Sequence, residues 1–360
     1  MKDVWTQALQ NYYELAPSKL SPAMLQRLLD ADLADETRGQ KRQEHVLGLV
    51  ARNHTLTAPG ISDLIDRQTI RVLPSPICAA FSKPPNTIVV GDGLIDLLTA
   101  CGYWSALVGA LPKSADEVYP LEKHPKIPLS DALAVYTYAL LYRYHEHGEP
   151  LPDFRALAHQ FPNPNLDTQV RDAIAGAVMY ILLHELGHLA LGHHEGNDVS
   201  LPFDPPALIG EALTLYQQRE LEADLWAMEA IRPDLRKIHT AWINMGLSFH
   251  FQRGALLSEA SESHPLYVNR LAFAHACTDE QLRAAGDMDA HLIRMASAHE
   301  NIERNNEKRA AQGSLPFLSS LTREEILDQI ESLATLIPLD VSPVLASEIP
   351  TWHTCFEGSE

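Results

Sequence analysis

The chain has 360 residues, 46% of them hydrophobic and 21% charged, enough for one large globular domain or two moderate ones. A formal net charge of −19 repels phosphate backbones and anionic lipid, which counts against nucleic acid and membrane surfaces as partners. Four scattered cysteines, Cys78, Cys101, Cys277 and Cys355, form no C-x-x-C pair, and the N-terminus lacks an apolar signal core, so reduced thiols and a cytoplasmic location are expected.

In chain order, the spacing of Leu20, Met24, Leu28, Leu29 and Leu33 predicts a helix, and a second helix, polar on one side, covers about 36–54. Ile70-Arg71-Val72-Leu73, Ile77-Cys78-Ala79-Ala80-Phe81 and Thr87-Ile88-Val89-Val90 read as short strands, the last two separated by Pro84-Pro85. Gly91 then turns the chain, and Asp92 caps a helix carrying Leu94, Ile95, Leu97 and Leu98. Two proline-bearing stretches, 112–128 and 197–206, read as irregular. Helices are expected at 129–144, 167–191, 209–230, 279–311 and 323–335. The apolar stretch 173–183 falls short of the ~20 residues that span a bilayer, so it reads as a buried helix and no membrane insertion is expected. The fold class is α+β, mostly α with a small sheet. Its parts are a helical N-terminal region (1–65), a central domain (66–278) and a helical C-terminal region (279–360).

The chemistry concentrates at His184-Glu185-Leu186-Gly187-His188, an H-E-x-x-H inside the apolar helix. A spacing of four sets the two imidazoles about 40° apart on one face, one turn from each other, as two ligands of one ion require. Glu185 is turned away from His184 by ~100°, where it reaches a metal-bound water without ligating. A catalytic zinc site takes three protein ligands and keeps one open position. Three candidates compete for the third place. Glu220 shares a helix face with Asp224, Ala223 and Ala227, where small residues permit close approach and Asp224 can accept the outer N–H of a ligand histidine. Glu222 lies about 200° round from Glu220 and points elsewhere. His194 occupies the last place of a longer histidine motif whose glycine, Gly192, comes one residue late. His145 and His147 are the third option. Gly192 is expected to end the helix, leaving His193 and His194 solvated in the following turn.

With these residues in view, the chain resembles the gluzincin metallopeptidases, within them the group of the CAAX prenyl proteases and the bacterial membrane heat-shock protease. The likeness rests on His184–His188, on Glu220-Leu221-Glu222-Ala223-Asp224 as an E-x-x-A-D segment, and on Ser263-His264-Pro265 followed by Arg270. A second, weaker likeness is to soluble gluzincins such as the phage-exclusion protease Lit. The resemblance implies a zincin-like fold, Zn2+ held by His184, His188 and Glu220, Glu185 as general base, and His264 as a donor to the oxyanion. It also implies that the strand at Asn86–Val90 edges the cleft and pairs with a protein or peptide substrate. The rival expectation is a catalytically silent binding or regulatory protein carrying a structural metal.

Overall fold

The apolar stretch around His184 forms one long helix in the computed structural model, which describes residues 36–73, 80–110, 118–119, 127–128, 154–159, 163–201, 213–231 and 270. The elements are α1 (Glu36–Asn53), α2 (Ile61–Asp66), β1 (Thr69–Leu73), β2 (Ala80–Lys83), β3 (Thr87–Gly91), α3 (Asp92–Ala110), β4 (Val118–Tyr119), β5 (Ile127–Pro128), α4 (Phe154–Ala158), α5 (Leu166–Ala190) and α6 (Leu215–Glu229). One 3-10 turn, His54–Leu56, follows α1, and another, His193–Glu195, follows α5. The described part is mostly helical with a small sheet, in keeping with an α+β class. The helices expected at 129–144, 279–311 and 323–335, and the one carrying Leu20 to Leu33, lie outside the described residues.

Strand order in the main sheet is β1-β3-β2. β3 runs parallel to β1, with Ile88 opposite Ile70, and antiparallel to β2, with Val89 opposite Phe81. This corrects the expectation that the Asn86–Val90 strand edges the cleft: β3 is the central strand, and both of its hydrogen-bonding edges are occupied. Its composition explains why. Ile88, Val89 and Val90 are all buried, so the strand is covered on both faces and lacks the alternation of a half-exposed one. The strand lying along α5 is β2. The stretch read as irregular at 112–128 carries a two-residue antiparallel ladder, β4 with β5.

Helix α5 is the spine. Val170, Ile174, Ala177, Val178, Ile181, Leu182 and Leu183 are buried against α3, α1, α6 and the sheet. By length and composition it could cross a membrane, but 72% of its most apolar window is buried inside the protein, as befits a core helix. α6 starts with a capping box: the Thr214 hydroxyl accepts from the Gln217 N–H, and the Gln217 side chain accepts from the Thr214 N–H. Its Ala223 and Ala227 are fully buried, and Gly187 of α5 lies against Ala223 and the Trp226 ring. A Cβ at Gly187 would come within 3.3 Å of the Ala223 carbonyl oxygen. Described residues of the 1–65 region pack in as well: α1 lies on β1 and α5, and its buried Arg42 pairs with Asp92 at the start of α3.

Candidate metal centre

Three candidate ligand side chains converge between α5 and α6. His184 Nε2 and His188 Nε2 are 3.1 Å apart, His184 Nε2 is 3.2 Å from Glu220 Oε2, and His188 Nε2 is 3.5 Å from Glu220 Oε1. Metal–ligand bonds of 2.0–2.1 Å in a tetrahedral arrangement put ligand atoms about 3.3 Å apart. The observed separations bracket that value, so one His, His, Glu donor set fits a single divalent ion; this is the one such group among the described residues. His184 and Glu185 are buried, with His188 and Glu220 at the border.

His194, the rival third ligand, is not in this group. Its Nε2 lies 2.9 Å from the Ser82 hydroxyl on β2. His145, His147 and His264 lie outside the described residues.

Asp224 sits one turn beyond Glu220 and is buried. Its Oδ1 is 2.9 Å from His184 Nδ1, the nitrogen facing away from the cluster. The Tyr180 hydroxyl donates to the same oxygen at 2.6 Å. Arg270 donates to both oxygens of Asp224, each at 2.8 Å, and its guanidinium comes within 3.8 Å of Glu220. Burial alone would raise the Asp224 carboxyl, but the charge and hydrogen bonds of Arg270 and the His184 contact hold it well below the usual carboxylate range. Burial would likewise lower His184, yet Asp224 and Glu220 pull it up to about 10. Burial and the neighbouring His184 charge push His188 down to about 3. The acids of α6 thus favour positive charge at His184, and the charge there in turn disfavours a second one on His188.

Glu185 projects from the same helix toward β2. Burial raises its carboxyl above the ordinary value, opposed by the charge of His184 and by hydrogen bonds from the Ser82 hydroxyl and backbone N–H.

The chain leaves α5 through Gly192, at φ 70°, as the expected left-handed cap. The turn that follows departs from expectation. His193 is buried, not solvated, because the reversal at Gly192 carries it back beneath His188: their Nδ1 atoms are 2.8 Å apart. His193 Nε2 is 2.9 Å from Glu222 Oε2, and the Ser200 N–H donates to Glu222 Oε1 at 2.8 Å. Glu222 does point away from the Glu220 face, but into this second contact.

Sequence reasoning did not single out Tyr180 or Ser82, and it gave His193 and Glu222 no part in the site. Only Tyr180 had a legible signal: it sits four before His184, on the same helical face. No curated protein and no solved structure matches the chain. Residues 115–285, the span that holds His184, His188, Glu220, Asp224 and Arg270, match the family model Peptidase U49, and this supports a peptidase family for the chain.

Proposed function

We propose that this chain is a zinc-dependent endopeptidase of gluzincin type, cleaving peptide bonds of an intracellular protein or peptide. One observation carries the reading. Two imidazoles four residues apart and a carboxylate from a second helix approach one another at 3.1, 3.2 and 3.5 Å. Three protein donors of this kind leave a tetrahedral ion one position for solvent or substrate.

His184, His188 and Glu220 would hold the ion. Asp224 would orient His184 by accepting from its outer N–H. When bound, Zn2+ supplies Lewis acidity, lowering the pKa of a water and polarising the scissile carbonyl. Glu185 then accepts the proton of the attacking water and delivers it to the leaving amine nitrogen. Its burial between α5 and β2 favours that work, because a raised carboxyl is a stronger base. By the resemblance of its Ser-His-Pro segment to the gluzincin group, His264 would donate to the developing oxyanion. β2, which lies along α5, is the strand better placed than β3 to meet an extended substrate. The scattered thiols support a cytoplasmic site of action.

The test is Glu185→Gln in the full chain. Zinc content, measured by elemental analysis, should stay at one ion per chain. New protein N-termini should appear in cells expressing the wild type and not in cells expressing the variant. Equal cleavage by the variant removes Glu185 from the mechanism, and wild-type protein that takes up no zinc removes the metal centre.

A further inference from the structure

The contacts of His193 and Glu222 impose a direction on the hydrogen bonds behind His188. A neutral imidazole carries one proton, so of the two Nδ1 atoms 2.8 Å apart only one donates. Suppose His193 Nδ1 were the donor. Its Nε2 would then turn a lone pair toward the Glu222 carboxylate at 2.9 Å, two acceptors facing each other inside the protein. His188 would at the same time carry its proton on Nε2, the nitrogen that faces His184 and Glu220. The opposite direction satisfies every group. His193 Nε2–H donates to Glu222, His193 Nδ1 accepts from His188 Nδ1–H, and His188 Nε2 is left with a free lone pair toward the cluster.

We infer that Glu222 and His193 are positioning residues for the second metal ligand: the carboxylate fixes the tautomer of His193, and His193 fixes that of His188. The inference rests on reading His188 as a ligand. The other Glu222 oxygen is held by the Ser200 N–H, so the carboxylate is restrained from turning away from His193. His193 and Glu222 are both buried, at 5% and 7% exposure, so solvent does not readily substitute for either partner. Helix α6 thereby acts twice on the same centre. Glu220 contacts the ligand nitrogens directly, and Glu222 reaches the far side of His188 through one intervening ring.

Histidine 15N NMR on the zinc-loaded full chain reads the tautomers directly, with the His193 signals assigned by their loss in His193→Gln. Protonated Nε2 and bare Nδ1 on His193 are expected. A proton on His193 Nδ1 overturns the inference, and this readout needs no variant other than the one used for assignment. Zinc affinity, by competition with a chromogenic chelator, should weaken by roughly 10–100-fold in Glu222→Gln, where the amide tolerates either direction. The visible spectrum of the Co2+-loaded variant should shift, while its far-UV circular dichroism matches wild type. Glu222→Asp should restore part of the affinity. Affinity in Glu222→Gln equal to wild type refutes the relay. His188→Ala separates the two levels: lost zinc binding there with unchanged binding in Glu222→Gln sinks the relay alone, whereas unchanged binding in His188→Ala sinks the metal centre and the relay with it.

Discussion

Gly187 lies against the backbone of Ala223, so that a Cβ built on it would stand 3.3 Å from the Ala223 carbonyl oxygen and 3.3 Å from the Trp226 ring. This contact brings the His184–His188 turn of α5 and the Glu220–Asp224 turn of α6 within reach of one another. Alanine is worth about 1 kcal/mol more than glycine inside a helix. That preference loses here, because the Ala223 backbone cannot yield without moving α6. Gly187→Ala should therefore lower the melting temperature and weaken zinc binding, and Gly187→Leu should do both more severely, with overpacking costs of about 1–3 kcal/mol. Thermal melts and chelator competition read the two effects. A melting temperature raised by Gly187→Ala would show that the close approach does not govern the site.

Asp224 is the shared partner of His184, Tyr180 and Arg270, and both it and Arg270 are buried. Removing one member of a buried ion pair leaves the other charge without compensation, at a cost of about 3–5 kcal/mol. Asp224→Ala should therefore lose stability of that order in urea unfolding, and zinc affinity should fall by ~10–100-fold because His184 loses its orienting acceptor. Replacing both residues, Asp224→Ala with Arg270→Met, should recover part of the stability and none of the zinc affinity. That split separates a residue that orients a ligand from one that only neutralises Arg270. If the double variant regained full affinity, Asp224 would have no influence on the metal.

The parts of the site that could be read in the sequence are those governed by a helical period. The interval of four fixes the relation of His184 to His188 and of Glu220 to Asp224 within each helix, and Ala223 and Ala227 mark the contact face. Helix α5, expected at 167–191, is observed as Leu166–Ala190 for the same reason. What depends on a change of direction was not legible. His193 follows a residue in the left-handed conformation, and no periodicity carries across Gly192 to say that its ring returns beneath His188. Glu222 was judged only against the metal face of α6, so its partner across the turn was invisible. Ser82 meets Glu185 through the neighbouring position of β2, a tertiary fact. The central place of β3 did have a signal, since Ile88-Val89-Val90 is an unbroken apolar run of the kind a doubly covered strand carries.

Far from the candidate metal centre, Asp167 in the first turn of α5 gathers the Tyr103 hydroxyl at 2.7 Å, the Arg155 guanidinium at 2.8 Å and His159 Nε2 at 3.0 Å. Burial works to raise its carboxyl, but the Arg155 and Tyr103 hydrogen bonds prevail and hold it at about 2, below the ordinary 3.8. A carboxyl depressed on folding stabilises the protein above its unfolded pKa, and that contribution disappears as the pH falls from about 4 through about 2. With 35% of the Asp167 side chain exposed, solvent screening limits the effect to on the order of 1 kcal/mol. Asp167→Asn should accordingly be less stable than wild type by about that amount at pH 6, and the difference should shrink steadily below pH 4. Urea unfolding of both proteins across pH 2–6 makes the measurement. A gap that stays constant over that range would mean that the Asp167 charge does not help to anchor the start of α5.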